Sequence, residues 1–113
     1  MTAYFDPDVD RTYTAVYKAE TPDILQAFAA FDGAVFSESG RAIPLKFREL
    51  IAVAVSLTTQ CVYCIDAHTE RAVKAGATRA ELAETAWVAT AIRAGGGFAH
   101  GRLAFKLADA HEH

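Results

Sequence analysis

A chain of 113 residues with 11 basic and 14 acidic side chains has no run of Lys and Arg dense enough to track phosphates, which excludes nucleic acid as the expected partner. Its longest apolar run, Leu50 to Val55, is too short to cross a bilayer, and Met1 to Asp6 lacks the basic and apolar regions of a signal peptide. The expectation is therefore one soluble, cytoplasmic domain over residues 1–113, without a membrane partner; its 52% hydrophobic content exceeds what so small a helical domain can hide, which predicts a homo-oligomer.

The opening dozen residues, with Asp6-Pro7-Asp8, read as a polar lead-in ending in a short helix near Thr12 to Ala19. Thr21-Pro22-Asp23 has the form of a helix start, with a capping hydroxyl, a proline in the first turn and an acid near the positive end of the dipole. Ile24, Leu25, Phe28, Phe31, Val35 and Phe36 then recur at helical spacing, which carries this helix to about Ser37; Ser37 to Ala42 reads as a loop.

Pro44 opens the next helix, whose centre from Leu50 to Leu57 is apolar nearly all round and is expected to be buried on most sides. A new helix begins around Cys61 and stops at Gly76, a residue suited to the left-handed position after a helix end. Thr78-Arg79-Ala80-Glu81 is a capping box in form and starts a fourth strong helix through Leu82, Ala86, Trp87, Val88, Ala91 and Ile92. Gly95-Gly96-Gly97 is expected to weaken or bend it, because three glycines cost about 2–3 kcal/mol relative to alanines. A last helix follows over about Phe98 to Ala110. Trp87, Phe98 and Phe105 read as core or subunit interface, and His111 and His113 as a frayed tail able to chelate adventitious metal. No segment alternates with period two over a useful length, so the expected class is all-α.

The chemistry concentrates in Cys61-Val62-Tyr63-Cys64-Ile65-Asp66-Ala67-His68. On a helix Cys61, Cys64 and His68 fall at i, i+3 and i+7, on one face, and the imidazole sits one turn from Cys64. A thiolate is the reactive form of cysteine, and a neighbouring histidine can take the thiol proton; Cys61, at the helix start, gains instead from the dipole. Three readings stay open on spacing alone. The pair is a dithiol redox centre; or Cys61, Cys64 and His68 bind zinc with Glu49 or His100 as the fourth ligand; or the cysteines are an inert buried pair. A c-type haem site is excluded, because Ile65 stands where it needs histidine. Glu49 by itself reads as a surface residue paired with Lys46 or Arg48, and His100 as structural.

Glu49, separated by eleven residues from Cys61, together with Cys61-Val62-Tyr63-Cys64-Ile65-Asp66-Ala67-His68, resembles the core motif of the AhpD-like alkylhydroperoxidases within the carboxymuconolactone decarboxylase family. The motif covers about residues 44–76, and Ala91 to Gly97 with His100-Gly101 resembles the end of the same domain. A weaker similarity is to a peroxidase-like branch associated with arsenosugar biosynthesis. The resemblance implies an AhpD-like all-helical fold assembling as trimers or hexamers, and thiol-dependent reduction of hydroperoxides with electrons from a thiol or disulfide reductant. It implies the peroxide-attacking role for Cys64, the resolving role for Cys61, and a proton relay for His68 and Glu49. No cofactor is expected, and no metal, because the nearest candidate fourth ligands are a distant Glu and His and not a second close pair. A general disulfide oxidoreductase using the same cysteines, and a non-catalytic zinc-binding helical module, are the alternatives. One position departs from the best-studied type of member, which carries histidine between the cysteines where this chain has Tyr63, a hydrogen-bond donor but a poor base near neutral pH. The decarboxylase branch lacks the cysteine pair, so that activity is disfavoured.

Overall fold

The computed structural model describes residues 4–112, and every regular element among them is helical. The expected all-α class is what the chain adopts. The order is α1 (Pro7–Asp10), a 3₁₀ turn over Arg11–Tyr13, α2 (Thr14–Glu20), α3 (Pro22–Val35), α4 (Leu45–Thr59), α5 (Val62–Lys74) and α6 (Arg79–His111). No helix of the described residues is long and apolar enough to cross a membrane. His113 lies outside the described residues.

The centre of the molecule is α4, against which α5 and α6 pack. α4 ends where Gln60 takes the left-handed conformation at φ 57°, and only Gln60 and Cys61 separate it from α5. So tight a link folds α5 back along α4 as a helical hairpin. At the far end of α5, Gly76 stands at φ 101°, the Gly76 N–H donates to the Val73 carbonyl and the Ala77 N–H to the Ala72 carbonyl. This pair of bonds is the Schellman closure for which a glycine was expected there. The capping box at α6 also forms: the Glu81 N–H donates to Thr78 Oγ1 at 3.1 Å, and the Thr78 N–H to Glu81 Oε1 at 2.9 Å. Glu81 Oε2 meets Lys46 Nζ at 2.8 Å, tying the first turn of α6 to α4. Farther along, Arg93 donates to the Thr58 carbonyl at the end of α4.

Four expectations need correction. Thr21 occupies the N-cap of α3, but its hydroxyl donates back to the Tyr17 carbonyl at 3.1 Å, so it closes α2 instead of capping α3. The glycine triplet does not divide the last third of the chain; α6 runs unbroken for 33 residues through it. Once a well-capped helix has nucleated, each added residue brings its own hydrogen bond, and a glycine penalty of about 1 kcal/mol is a weak prior against that. α4 is not buried on most sides: Glu49, Leu50, Val53 and Ser56 are buried, while Phe47, Ile51 and Val55 stay open. Finally Trp87, Phe98 and Phe105 are not core of this chain, since each is more than two-thirds exposed on α6.

The apolar core of the described residues is accordingly thin, with Leu50, Val53, Ala72 and Ala89 as its buried members. The chain measures 56 × 37 × 35 Å with a radius of gyration of 18.9 Å. A compact chain of this length would have about 13 Å.

Candidate active site

The cysteine motif lands at the junction between α4 and α5. Cys61 is the N-cap of α5, in extended conformation, and its Sγ accepts the Cys64 N–H at 3.2 Å. The two sulfurs are joined as a disulfide, with Cα atoms 5.3 Å apart. One turn on, His68 projects towards α4, where its Nδ1 lies 2.9 Å from Glu49 Oε2. With a carboxylate oxygen as acceptor, Nδ1 is the donor and carries the ring proton, which leaves Nε2 as the free acceptor. Glu49 is 1% exposed and is the largest fully buried side chain of the described residues. The surface role that its position beside two cations suggested is therefore wrong. Lys46 is engaged by Glu81, and Arg48 by three carbonyls.

Cys64 and His68 line one cavity of about 370 Å³, whose other walls come from α4 and the end of α3. Ile51, Ala52, Val55 and Val35 make it predominantly apolar. The Phe36 ring lies against the His68 imidazole, centroids 4.8 Å apart. Arg48 holds that end of α3 in place: Nη1 donates to the Val35 carbonyl at 2.6 Å, Nη2 to Ser37 at 2.7 Å and Nε to Ile43 at 2.8 Å. Tyr63 is half exposed and turns to the N-terminal segment, where the Phe5 ring meets it edge-on at 5.2 Å. Burial first, and the Asp10 carboxylate second, raise its phenol above the ordinary 10.0, so it stays protonated at neutral pH. His100 is exposed on the outer half of α6, and no group of three or more His, Cys, Asp and Glu side chains among the described residues is arranged to hold a metal ion.

Residues 22–107, which include Glu49, both cysteines and His68, match the model of the carboxymuconolactone decarboxylase family. The chain belongs to that family. Among its relatives is a protein of Paracoccus denitrificans called uncharacterized protein 4 in cox locus, 40% identical over 83 residues that make up 74% of this chain and 73% of the relative. A carboxymuconolactone decarboxylase family protein from Legionella pneumophila has a similar crystal structure, with a TM-score of 0.68 and 33% identity over 75% of this chain and 74% of that one. A protein from Methanobacterium thermoautotrophicum is similar at the same TM-score, with 37% identity, covering 77% of this chain and 98% of that chain.

Within this family fold, the structure brings together all four residues singled out by the motif. It adds two that sequence reasoning left out of the site. Phe36 had been absorbed into the apolar stripe of α3, and Arg48 into the charged flank of Glu49. No local pattern distinguishes either, because each acts across a long stretch of chain.

Proposed function

We propose that the protein is a thiol-dependent peroxidase that reduces organic hydroperoxides through a Cys61/Cys64 dithiol–disulfide cycle, with His68 and Glu49 as its proton relay. The observation that carries this reading is the hydrogen bond between His68 and the buried Glu49, with the His68 imidazole lining the apolar cavity that Cys64 also lines. In the cycle His68 takes the Cys64 thiol proton, and the thiolate attacks the distal peroxide oxygen. The O–O bond breaks, the alkoxide takes the proton from His68 and leaves as an alcohol, and Cys64 is oxidised to a sulfenic acid. Cys61 then attacks that sulfur, the S–S bond forms and water departs. A dithiol reductant returns two electrons and two protons. The joined sulfurs correspond to the oxidised end of this cycle.

The assignment of attack to Cys64 follows from magnitudes. A helix dipole favours Cys61 by about 0.3–1 kcal/mol, and the Cys64 N–H on its sulfur adds to that. A hydrogen bond to a charged partner contributes about 1.5–3 kcal/mol, and it is Cys64 that shares the cavity with His68. The expected result is that Cys64→Ser abolishes reaction with cumene hydroperoxide. Cys61→Ser should consume one equivalent and stall as a sulfenic acid, detected by mass after dimedone labelling. The opposite pattern would reverse the roles, and no peroxide consumption by the reduced wild-type protein would overturn the reading.

Assembly belongs to the same proposal. A thin core and an α6 whose large apolar residues stand in solvent fit a chain that completes its burial against further copies of itself, as trimers or hexamers.

A further inference from the structure

Among the described residues the buried polar side chains are Glu49 and Ser56, both on α4. Seven residues apart, they stack two turns from each other on one face of that helix. Glu49 answers His68. Ser56 has no part in the cycle above, yet it lines the apolar cavity together with Cys64 and His68. Its own carbonyl accepts the Cys61 N–H at 3.1 Å, at the foot of the disulfide.

The Ser56 hydroxyl donates within its own helix. Oγ lies 2.6 Å from the Ala52 carbonyl and 3.0 Å from the Val53 carbonyl, and both oxygens can only accept. Two lone pairs on Oγ remain, and no hydrogen bond among the described residues uses them. The bonds to Ala52 and Val53 link no second element, since they return to carbonyls that the ladder of α4 already engages. Alanine would serve the helix better at this position. A buried acceptor without a donor, in the cavity that holds the reactive sulfur, suits an O–H brought by a ligand.

We infer that Ser56 is a substrate-binding residue whose hydroxyl oxygen accepts the O–H of the hydroperoxide and holds the distal oxygen for attack by Cys64. The inference rests on the peroxidase reading and adds the group that recognises the hydroperoxide end, while the apolar walls take the organic end. A hydroperoxide carries its O–H on the distal oxygen. When the Cys64 thiolate attacks, the S–O bond forms and the O–O bond breaks. The hydrogen stays on the distal oxygen, which becomes the sulfenic O–H, and the alkoxide leaves with the His68 proton. The bond to Ser56 thus lasts from substrate to sulfenic acid and fixes which oxygen faces the sulfur.

The test uses Cys61→Ser protein, in which Cys64 is the lone thiol. Cumene hydroperoxide brings an O–H to that thiolate, whereas methyl methanethiosulfonate attacks the same thiolate without any O–H or N–H. Adding Ser56→Ala should slow the second-order reaction with cumene hydroperoxide about fivefold, the effect of one neutral hydrogen bond. The reaction with methyl methanethiosulfonate, and its pH profile, should stay within about 1.5-fold of the parent, because the thiolate itself is untouched. An unchanged peroxide rate would overturn the role of Ser56 and leave the peroxidase reading standing. Equal slowing with both reagents would also overturn it, because Ser56 would then act on the thiol. A parent protein that takes up no dimedone after peroxide would overturn the peroxidase reading, and this inference with it.

Discussion

Taking a carboxylate out of water costs several kcal/mol unless its charge is answered, and at Glu49 the partner is a single imidazole. Glu49→Gln preserves the shape of this contact and removes its charge. We expect peroxide consumption to fall by about 10²-fold, the low end of what a positioned acid–base group contributes, with the folded state weakened by only about 1 kcal/mol. Stopped-flow oxidation of the reduced protein and a urea midpoint measure the two effects separately. A loss of activity no greater than the loss of folded protein would reduce Glu49 to a structural residue. Spacing alone put Cys64 and His68 one turn apart, since both lie on α5, but Cys61 stands at its N-cap in extended conformation and not on the helix face expected for it. Glu49 was legible only through the longer motif, because its meeting with His68 is made by the packing of α5 on α4. Phe36 was not legible at all: its apolar character served the helical period of α3 equally well whether it faced a core or an imidazole.

At the scale of elements, boundaries set by side-chain chemistry were readable and those set by propensity were not. The Gly76 stop and the Thr78 capping box each rest on a residue type that the geometry requires, and both formed. The break at Gly95 to Gly97 rested on an energetic preference, which a long, well-started helix overrides. Thr78→Ala removes the cap and should destabilise the protein by about 1 kcal/mol in thermal or urea unfolding, with α6 fraying from its start. Glu81 gives the same junction a pH dependence. Its bond to Lys46 first, and the Thr78 backbone N–H second, lower its carboxyl below the ordinary 4.5 in the folded state. A group lowered in this way contributes stability in full above 4.5 and loses it as pH falls through the folded value. The stability of wild type relative to Glu81→Gln should therefore shrink on acidification below 4.5 and be level above it, with high salt reducing the difference.

At the scale of the whole molecule, supply of apolar surface outruns what one chain covers. Composition had signalled that excess, and the structure locates it on α3, on α6 and on the open side of α4. What composition could not give was where the excess would sit, since a sequence lists apolar residues without saying which remain after three helices have met. Static light scattering at micromolar protein should return a multiple of the 12.2 kDa chain mass, three or six by the family resemblance. A mass of one chain would remove the assembly from the proposal and leave a protein with an expanded, weakly held fold.

Trp87, the only tryptophan in the chain, stands 71% exposed on α6. Its indole therefore makes the molecule its own fluorophore for association. A lone chain should emit like a hydrated indole, towards the red and readily quenched by iodide, while chains packed along α6 should emit farther to the blue and shed their sensitivity to the quencher. Dilution through the dissociation range would then trace a titration curve in the protein's own light, without a label or a substrate.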